Sequence, residues 1–404
     1  MIKLFKFKKT TTIFFIAIII IFGMLLTPVL SQSSIEENIE QFNGFTGILI
    51  EDLDSGQLLL SHNQDKLFTP ASLVKIFTLL AGLEVIGGDY RYPTYFYFSS
   101  TTPGIIDSSL YVKGSGDPTH SPEMIREIVQ NLVNKYHIKQ INGDLVLDDL
   151  TFQKEEFLGR GWMWDDKNPL LGALVLKGYS ANEKHISYCN AMTLAWGEVF
   201  FKELLRMGVQ IKGGIKIEQV KKDIKVKSIH YSVPLDNILI EMMKMSDNQS
   251  SEIIFRTLPL CINKEQISTI EQSIIVFSEL LQELLDMEWG EDYFIVDGCG
   301  LSEYNLLTPA QIVETISFLY QKYGSDILSF FASIEEKGTI KNRFPFPLWA
   351  KTGSLPAASG LAGILQTKGG RNIVFSLMEN NFRGEKNDPK LWENQIIEYI
   401  YENY

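Results

Sequence analysis

Ser72 and Lys75 stand three residues apart in the run TPASLVKIFTLLAG, residues 69–82. On a helix that spacing puts both side chains on one face, within touching distance. A serine hydroxyl is a poor nucleophile at neutral pH and needs a base in contact with it. A free lysine, with a pKa of about 10.4, carries its proton and cannot serve. Burial and a second cation nearby both disfavour the ammonium form. Leu73, Val74, Ile76 and Phe77 supply apolar surroundings, and a further lysine elsewhere in the chain has to supply the cation.

Two later motifs fit that requirement. Lys351-Thr352-Gly353 offers the cation, and Ser246-Asp247-Asn248 offers polar groups for proton handling. In this scheme Ser246 relays a proton to the leaving amine, and Asn248 orients the lysine and a substrate amide. Lys351 and Thr352 bind a carboxylate, and Gly353 lets a substrate backbone approach the strand. Backbone N–H groups of Ser72 and Ser354 form the oxyanion hole. Taken singly, each motif has an ordinary explanation: a helical pair, a polar helix end or Asx turn, and an exposed strand. Their order, and the local structure each falls in, match the serine acyl-transferase pattern of active-site serine enzymes.

The elements that must position these residues are legible in outline. GFTGILIEDLDSGQLLLSHNQDKLFTPAS reads as a β-hairpin turning at Asp54-Ser55-Gly56. It feeds a helix that starts after Thr69-Pro70 and stops by Gly87-Gly88. Short β-like runs dominate residues 89–231. LDNILIEMMKMSDNQSSEIIFRTL then reads as a helix, with further helices around 270–286 and 309–322. Two strands close the chain, PLWAKTGSL and LAGILQTKGGRNIVFSLMEN, joined by a Gly-rich corner. The pattern predicts an α/β (α+β) sandwich, residues 32–88 plus 232–404, interrupted by a strand-rich insert, 89–231.

Bulk properties exclude several classes. A length of 404 residues allows two to three domains, and 45% hydrophobic with 21% charged residues is a globular balance. The formal charge of −12 argues against nucleic acid as a partner. MIKLFKFKK followed by TTTIFFIAIIIIFGMLL and TPVLSQSS has the order of a secretory signal peptide, cut after Ser31. The alternative is an uncleaved membrane anchor, the one point of membrane contact. Cys189, Cys261 and Cys299 form no CxxC pair and read as buried thiols, one disulfide being the alternative. The five histidines, at 62, 120, 137, 185 and 230, fall in no HExxH motif, and no GxSxG is present. Zinc and Ser-His-Asp hydrolases are disfavoured accordingly.

Beyond the three motifs, LYVKGSGDPT (110–119), GDLVLDDLTF (143–152), GWMWDD (161–166), VDGCGLSEYNLLTP (296–309), KGTIKNRF (337–344) and KTGSLPAASGLAGILQTKGG (351–370) carry a family likeness. The sequence resembles the low-molecular-mass class C penicillin-binding proteins, the D-alanyl-D-alanine carboxypeptidase/endopeptidase group. The resemblance spans residues 45–380 and implies a transpeptidase-type sandwich of the penicillin-binding-protein/β-lactamase kind. It implies a serine peptidase that cuts peptidoglycan stem peptides through an acyl-enzyme on Ser72, takes β-lactams as acylating inhibitors, and uses no metal or cofactor. In some relatives an acidic residue of the insert reads a substrate amino group. Asp149 is the candidate here, with Asp148 an equal alternative and a turn position an explanation for either. Cys299 and Glu303 depart from the family's usual serine and basic residue, which touches substrate preference first. The rival readings are a serine β-lactamase and an inactive wall-binding protein on the same fold.

Overall fold

The computed structural model describes residues 32–153, 160–163, 171–179, 188–262, 267–383 and 388–404. The expected signal peptide, 1–31, lies outside them, as do Trp164, Asp165 and Asp166 of the GWMWDD stretch. Among the described residues, no helix is long and apolar enough to cross a membrane.

Helix α1 (Gln32–Gln41) precedes the hairpin β1 (Phe45–Asp52) and β2 (Leu58–His62). Asp52 Oδ1 accepts from both the N–H and the hydroxyl of Ser55, which closes the turn, and Gly56 takes a φ of +69°. A single 3₁₀ turn over residues 71–73 leads into α2 (Val74–Ala81), and a π turn ends the helical run at Gly87, φ +88°. Every residue of α2 is buried, Lys75 and Thr78 included. An amphipathic surface helix would leave one face in water. This one has no such face, so its polar groups must find partners inside the protein.

The chain continues through β3 (Pro93–Tyr97), β4 (Ile105–Ile106), β5 (Leu110–Lys113), α3 (Pro122–Tyr136), β6 (Gln140–Ile141) and β7 (Leu145–Asp148). Helix α4 (Tyr188–Arg206), β8 (Gln210–Ile211), β9 (Ile215–Ile217) and β10 (Val226–Tyr231) follow. These strands form a mixed five-stranded sheet, β10-β3-β5-β7-β9, and a small parallel sheet, β4-β6-β8. The last part holds α5 (Leu235–Met245), α6 (Asn248–Ile262), α7 (Ile270–Leu285), α8 (Pro309–Tyr323), β11 (Ala332–Ser333), β12 (Leu348–Leu355), β13 (Ala358–Gln366), β14 (Asn372–Asn380) and α9 (Pro389–Asn403). Its strands join the first hairpin in a six-stranded antiparallel sheet, β11-β12-β13-β14-β1-β2.

That sheet is covered on both faces, and its side chains alternate accordingly. Ile48 and Ile50 of β1, with Ile373 and Phe375 of β14, pack under Trp392 and Ile396 of α9. Leu49, Val374 and Met378 face the opposite core, shared with Phe77 of α2 and Ile312 and Ile316 of α8.

Two sequence expectations need correction here. LAGILQTKGGRNIVFSLMEN is two strands, β13 and β14, because Thr367–Arg371 makes a tight turn with Gly370 at φ +83°. The run expected as one helix from Leu235 is two, α5 and α6. Ser246 adopts a left-handed conformation, φ +57°, and stops the first helix. Asp247 then accepts from Gln249 N and Ser250 Oγ at the start of the second.

Candidate active site

The turn carrying Ser72 is gripped from several sides. Ala71 sits at φ +49°, an uncommon conformation for a residue with a Cβ. Asn380, at the end of β14, accepts from Thr69 N at 2.7 Å and donates to Thr69 O at 3.2 Å. Gly300 approaches so closely that a Cβ there would lie 1.9 Å from Ala71 O. At Gly353 the corresponding atom would lie 2.7 Å from Pro70 O. Gly353 was expected to admit a substrate backbone; in the structure its missing side chain admits the protein's own Pro70–Ala71 backbone.

Lys75 is 0% exposed. Its Nζ meets Ser72 Oγ at 3.0 Å, Asn248 Oδ1 at 2.7 Å and the Cys299 carbonyl at 2.5 Å. Two of these partners are carbonyl oxygens that only accept. A neutral amine therefore spends its two N–H bonds on them and turns its lone pair to the one partner able to donate, the Ser72 hydroxyl. Burial pulls the lysine below its ordinary pKa, while Asp297, Asp247 and Glu252 oppose that shift.

Lys351 lies beside it on β12, also 0% exposed. It donates to Ser246 Oγ at 2.8 Å and to Thr352 O at 2.6 Å. Burial, then the nearby Lys75, hold it well below the usual lysine range. The left-handed Ser246 that ends α5 turns its hydroxyl toward Lys351, and two residues on Asn248 opens α6 facing Lys75. One chain break thus serves both lysines. Thr352 is half-buried and Ser354 exposed further along β12.

A fourth contributor was not legible in side chains, because it acts through a carbonyl. The loop 297–305 is tied by Asp297, which accepts from Gly300 N, Ser302 N, Asn305 Nδ2 and Trp162 Nε1, all between 2.7 and 2.9 Å. Thr78 and Ser251 both donate to Gly298 O, at 2.6 and 2.5 Å. The DGCGLSEYN stretch is a scaffold that delivers the Cys299 carbonyl to Lys75. The Cys299 thiol is buried and free, with a pKa pushed well up by burial.

Asp149 is a correction. It is 1% exposed, and its carboxylate accepts from Ala173 N, Leu174 N and Thr193 Oγ1. Asp148 is as buried and accepts from Leu150 N and Val220 N. Both brace backbone inside the protein, and neither presents an oxygen to an incoming amine. Asp117, His120 and His230 come within 4.8 Å of one another, as metal ligands would. Trp196 Nε1, which only donates, points at His120 Nδ1 at 3.0 Å. The neutral ring then carries its proton on Nε2, 3.2 Å from Asp117, where a metal would need a lone pair.

A half-buried serine in contact with a fully buried lysine at the head of a helix, with a second buried lysine on the neighbouring strand, defines a serine peptidase of the penicillin-binding class. The chain belongs to the D-Ala-D-Ala carboxypeptidase 3 (S13) family, whose model matches residues 31–175 and 172–402. It is 23% identical to the D-alanyl-D-alanine carboxypeptidase DacB of Haemophilus influenzae, over 83% of this chain and 85% of that protein. It is 24% identical to the D-alanyl-D-alanine carboxypeptidase of Actinomadura, covering 84% and 78%. Among solved structures, penicillin binding protein 4 of H. influenzae superposes with a TM-score of 0.80 at 20% identity, covering 93% of this chain and all of that one, 100%.

Proposed function

We propose that Ser72 is the acylated nucleophile and Lys75 its general base, acting on peptidoglycan stem peptides. The contacts of Lys75 carry this reading: with two carbonyl acceptors and the Ser72 hydroxyl around it, the amine once neutral has an N–H for each carbonyl and its lone pair for Ser72. Ser72 gives its proton to Lys75 and attacks the carbonyl of the penultimate D-alanine. Backbone N–H groups of Ser72 and Ser354 receive the oxyanion. Ser246 relays the proton taken up by Lys75 to the departing D-alanine amine, Thr352 with Lys351 holds the terminal carboxylate, and Asn248 steadies both lysine and substrate amide. Water then hydrolyses the ester. The endopeptidase reaction cuts a cross-bridge by the same steps.

Residues 32–88 with 232–404 are proposed as the acyl-transferase unit, and 89–231 as an accessory insert; the separate sheets support that division. The basic and apolar N-terminal run supports export to the cell envelope. A β-lactam is expected to acylate Ser72. A penicillin G-acylated predatory endopeptidase of Bdellovibrio bacteriovorus shares the fold, with a TM-score of 0.58 at 21% identity. The decisive experiment incubates the protein with defined muropeptides and with fluorescent penicillin. Released D-alanine and a long-lived adduct on Ser72 support the proposal. Rapid drug turnover without D-alanine release turns the reading to a β-lactamase, and absence of both to an inactive wall-binding protein.

A further inference from the structure

Glu252 is 0% exposed and lies on the first turns of α6, the helix that Asn248 opens. One carboxylate oxygen accepts from Gly298 N at 2.8 Å, and the other from Arg256 Nε at 3.1 Å. Gly298 is the residue before the carbonyl that holds Lys75. A Cβ at Gly298 would meet Phe255 at 2.4 Å, so this peptide is pressed against α6 with no slack. Thr78 and Ser251 secure the carbonyl side of the same residue through neutral hydroxyls, whereas Glu252 brings a negative charge to its N–H.

We propose that Glu252 is a positioning residue for acylation: by holding the Gly298 N–H it fixes the 298–299 segment whose Cys299 carbonyl meets Lys75, and its charge stabilises the ammonium form of that lysine. The second half rests on Lys75 being the base, as proposed above. The groups facing Glu252 are Arg256 on its own helix and Asp297 on the loop, which favour and disfavour its ionised form respectively. Those acting on Lys75 are, largest first, Cys299, Asp297, Asp247 and Glu252, and Lys75 in turn acts on Lys351. Burial pushes the Glu252 carboxyl up to about 7, so its charge changes near neutrality, where it matters to the lysine.

The test is the pH profile of Ser72 acylation by fluorescent penicillin in the full-length protein. Glu252→Gln keeps the size and removes the charge. Where Glu252 is otherwise ionised, at about pH 7 and above, Lys75 then sheds its proton more readily, and that part of the acidic limb moves down by roughly one pH unit, the scale of one buried charge. Thr78→Val loosens the same peptide without touching charge, so the rate is expected to fall about threefold to tenfold with the limb in place. Glu252→Asp retains the charge but withdraws it from Gly298 N, and predicts a lower rate at an unmoved limb. An unmoved limb in a folded Glu252→Gln protein overturns the electrostatic role, and a full rate in Glu252→Asp overturns the positional one. Should Glu252→Gln not fold, Glu252→Asp decides alone. Lys75→Ala separates the two levels: if it still acylates, the base assignment is wrong, and if it is dead, the failure belongs to Glu252.

Discussion

Lys351 Nζ donates to Ser246 Oγ at 2.8 Å, which ties the break between α5 and α6 to strand β12. The serine is held there by its left-handed backbone, and the lysine by full burial. Two segments far apart in sequence are thus joined by one hydrogen bond at the proposed site, and disturbing either end is expected to show in catalysis.

Ser72→Ala should abolish both fluorescent-penicillin labelling and D-alanine release. Lys75→Ala should lower acylation by about a thousandfold, since it removes the base and leaves the nucleophile. Both proteins should remain folded by circular dichroism. Normal labelling of either variant would defeat the mechanism.

Lys351→Met separates stability from activity. Burial holds the folded-state pKa of Lys351 below its free value. Between those two values the unfolded chain binds a proton that the folded chain lacks, so this site costs stability at neutral pH and returns it as pH rises. An apolar side chain of similar length escapes the cost. The variant is expected to melt a few degrees higher while its acylation rate drops by about two orders of magnitude. A lower melting temperature would show that the bonds to Ser246 and Thr352 outweigh burial.

Gly300→Ala should damage the site without touching any reacting group. The new Cβ falls on Ala71 O, and φ at this position is +82°. Either the 297–305 loop or the Ser72 turn must move, and both carry partners of Lys75. Acylation is expected to fall at least tenfold with a lower melting temperature. Unchanged labelling kinetics would mean the turn is less constrained than its contacts indicate.

Glu379 of β14 sets a different pH dependence, on the far side of the catalytic sheet. It is fully buried, and burial with the nearby Glu393 raises its pKa well above 4.5. Arg343 and Ser359 both bond to Glu393. A raised folded-state value means the contribution is present below the unfolded pKa and is lost as pH climbs through the folded one. Glu379→Gln should therefore flatten the fall in melting temperature as pH rises above the ordinary carboxyl value of 4.5. An unchanged slope would assign the pH dependence elsewhere.

The side chains proposed as catalytic were legible because their chemistry is written in residue type and short spacing. Ser72 and Lys75 meet at one helical turn, and Lys351 had to lie on a strand reaching them. What escaped notice acts through the main chain. Nothing in the Cys299 side chain announces that its carbonyl binds Lys75, and the left-handed turn at Ser246 splits what reads as one apolar helix. Asp149 shows the opposite failure: the family resemblance offers it as the acid that reads a substrate amino group, yet its oxygens accept from Ala173, Leu174 and Thr193. Hydrogen bonds to distant backbone leave no local trace in composition or periodicity.

The first strand of the catalytic sheet pairs with its last, Phe45 opposite Asn380. Such long-range closure makes folding slow, because loop entropy is spent before any pairing energy returns. A nascent or prematurely terminated chain would carry β1 with an open edge, a template for aggregation. The nucleophile's turn, clasped by Asn380, becomes ordered only once nearly the whole polypeptide is present, so an incomplete molecule is born inert.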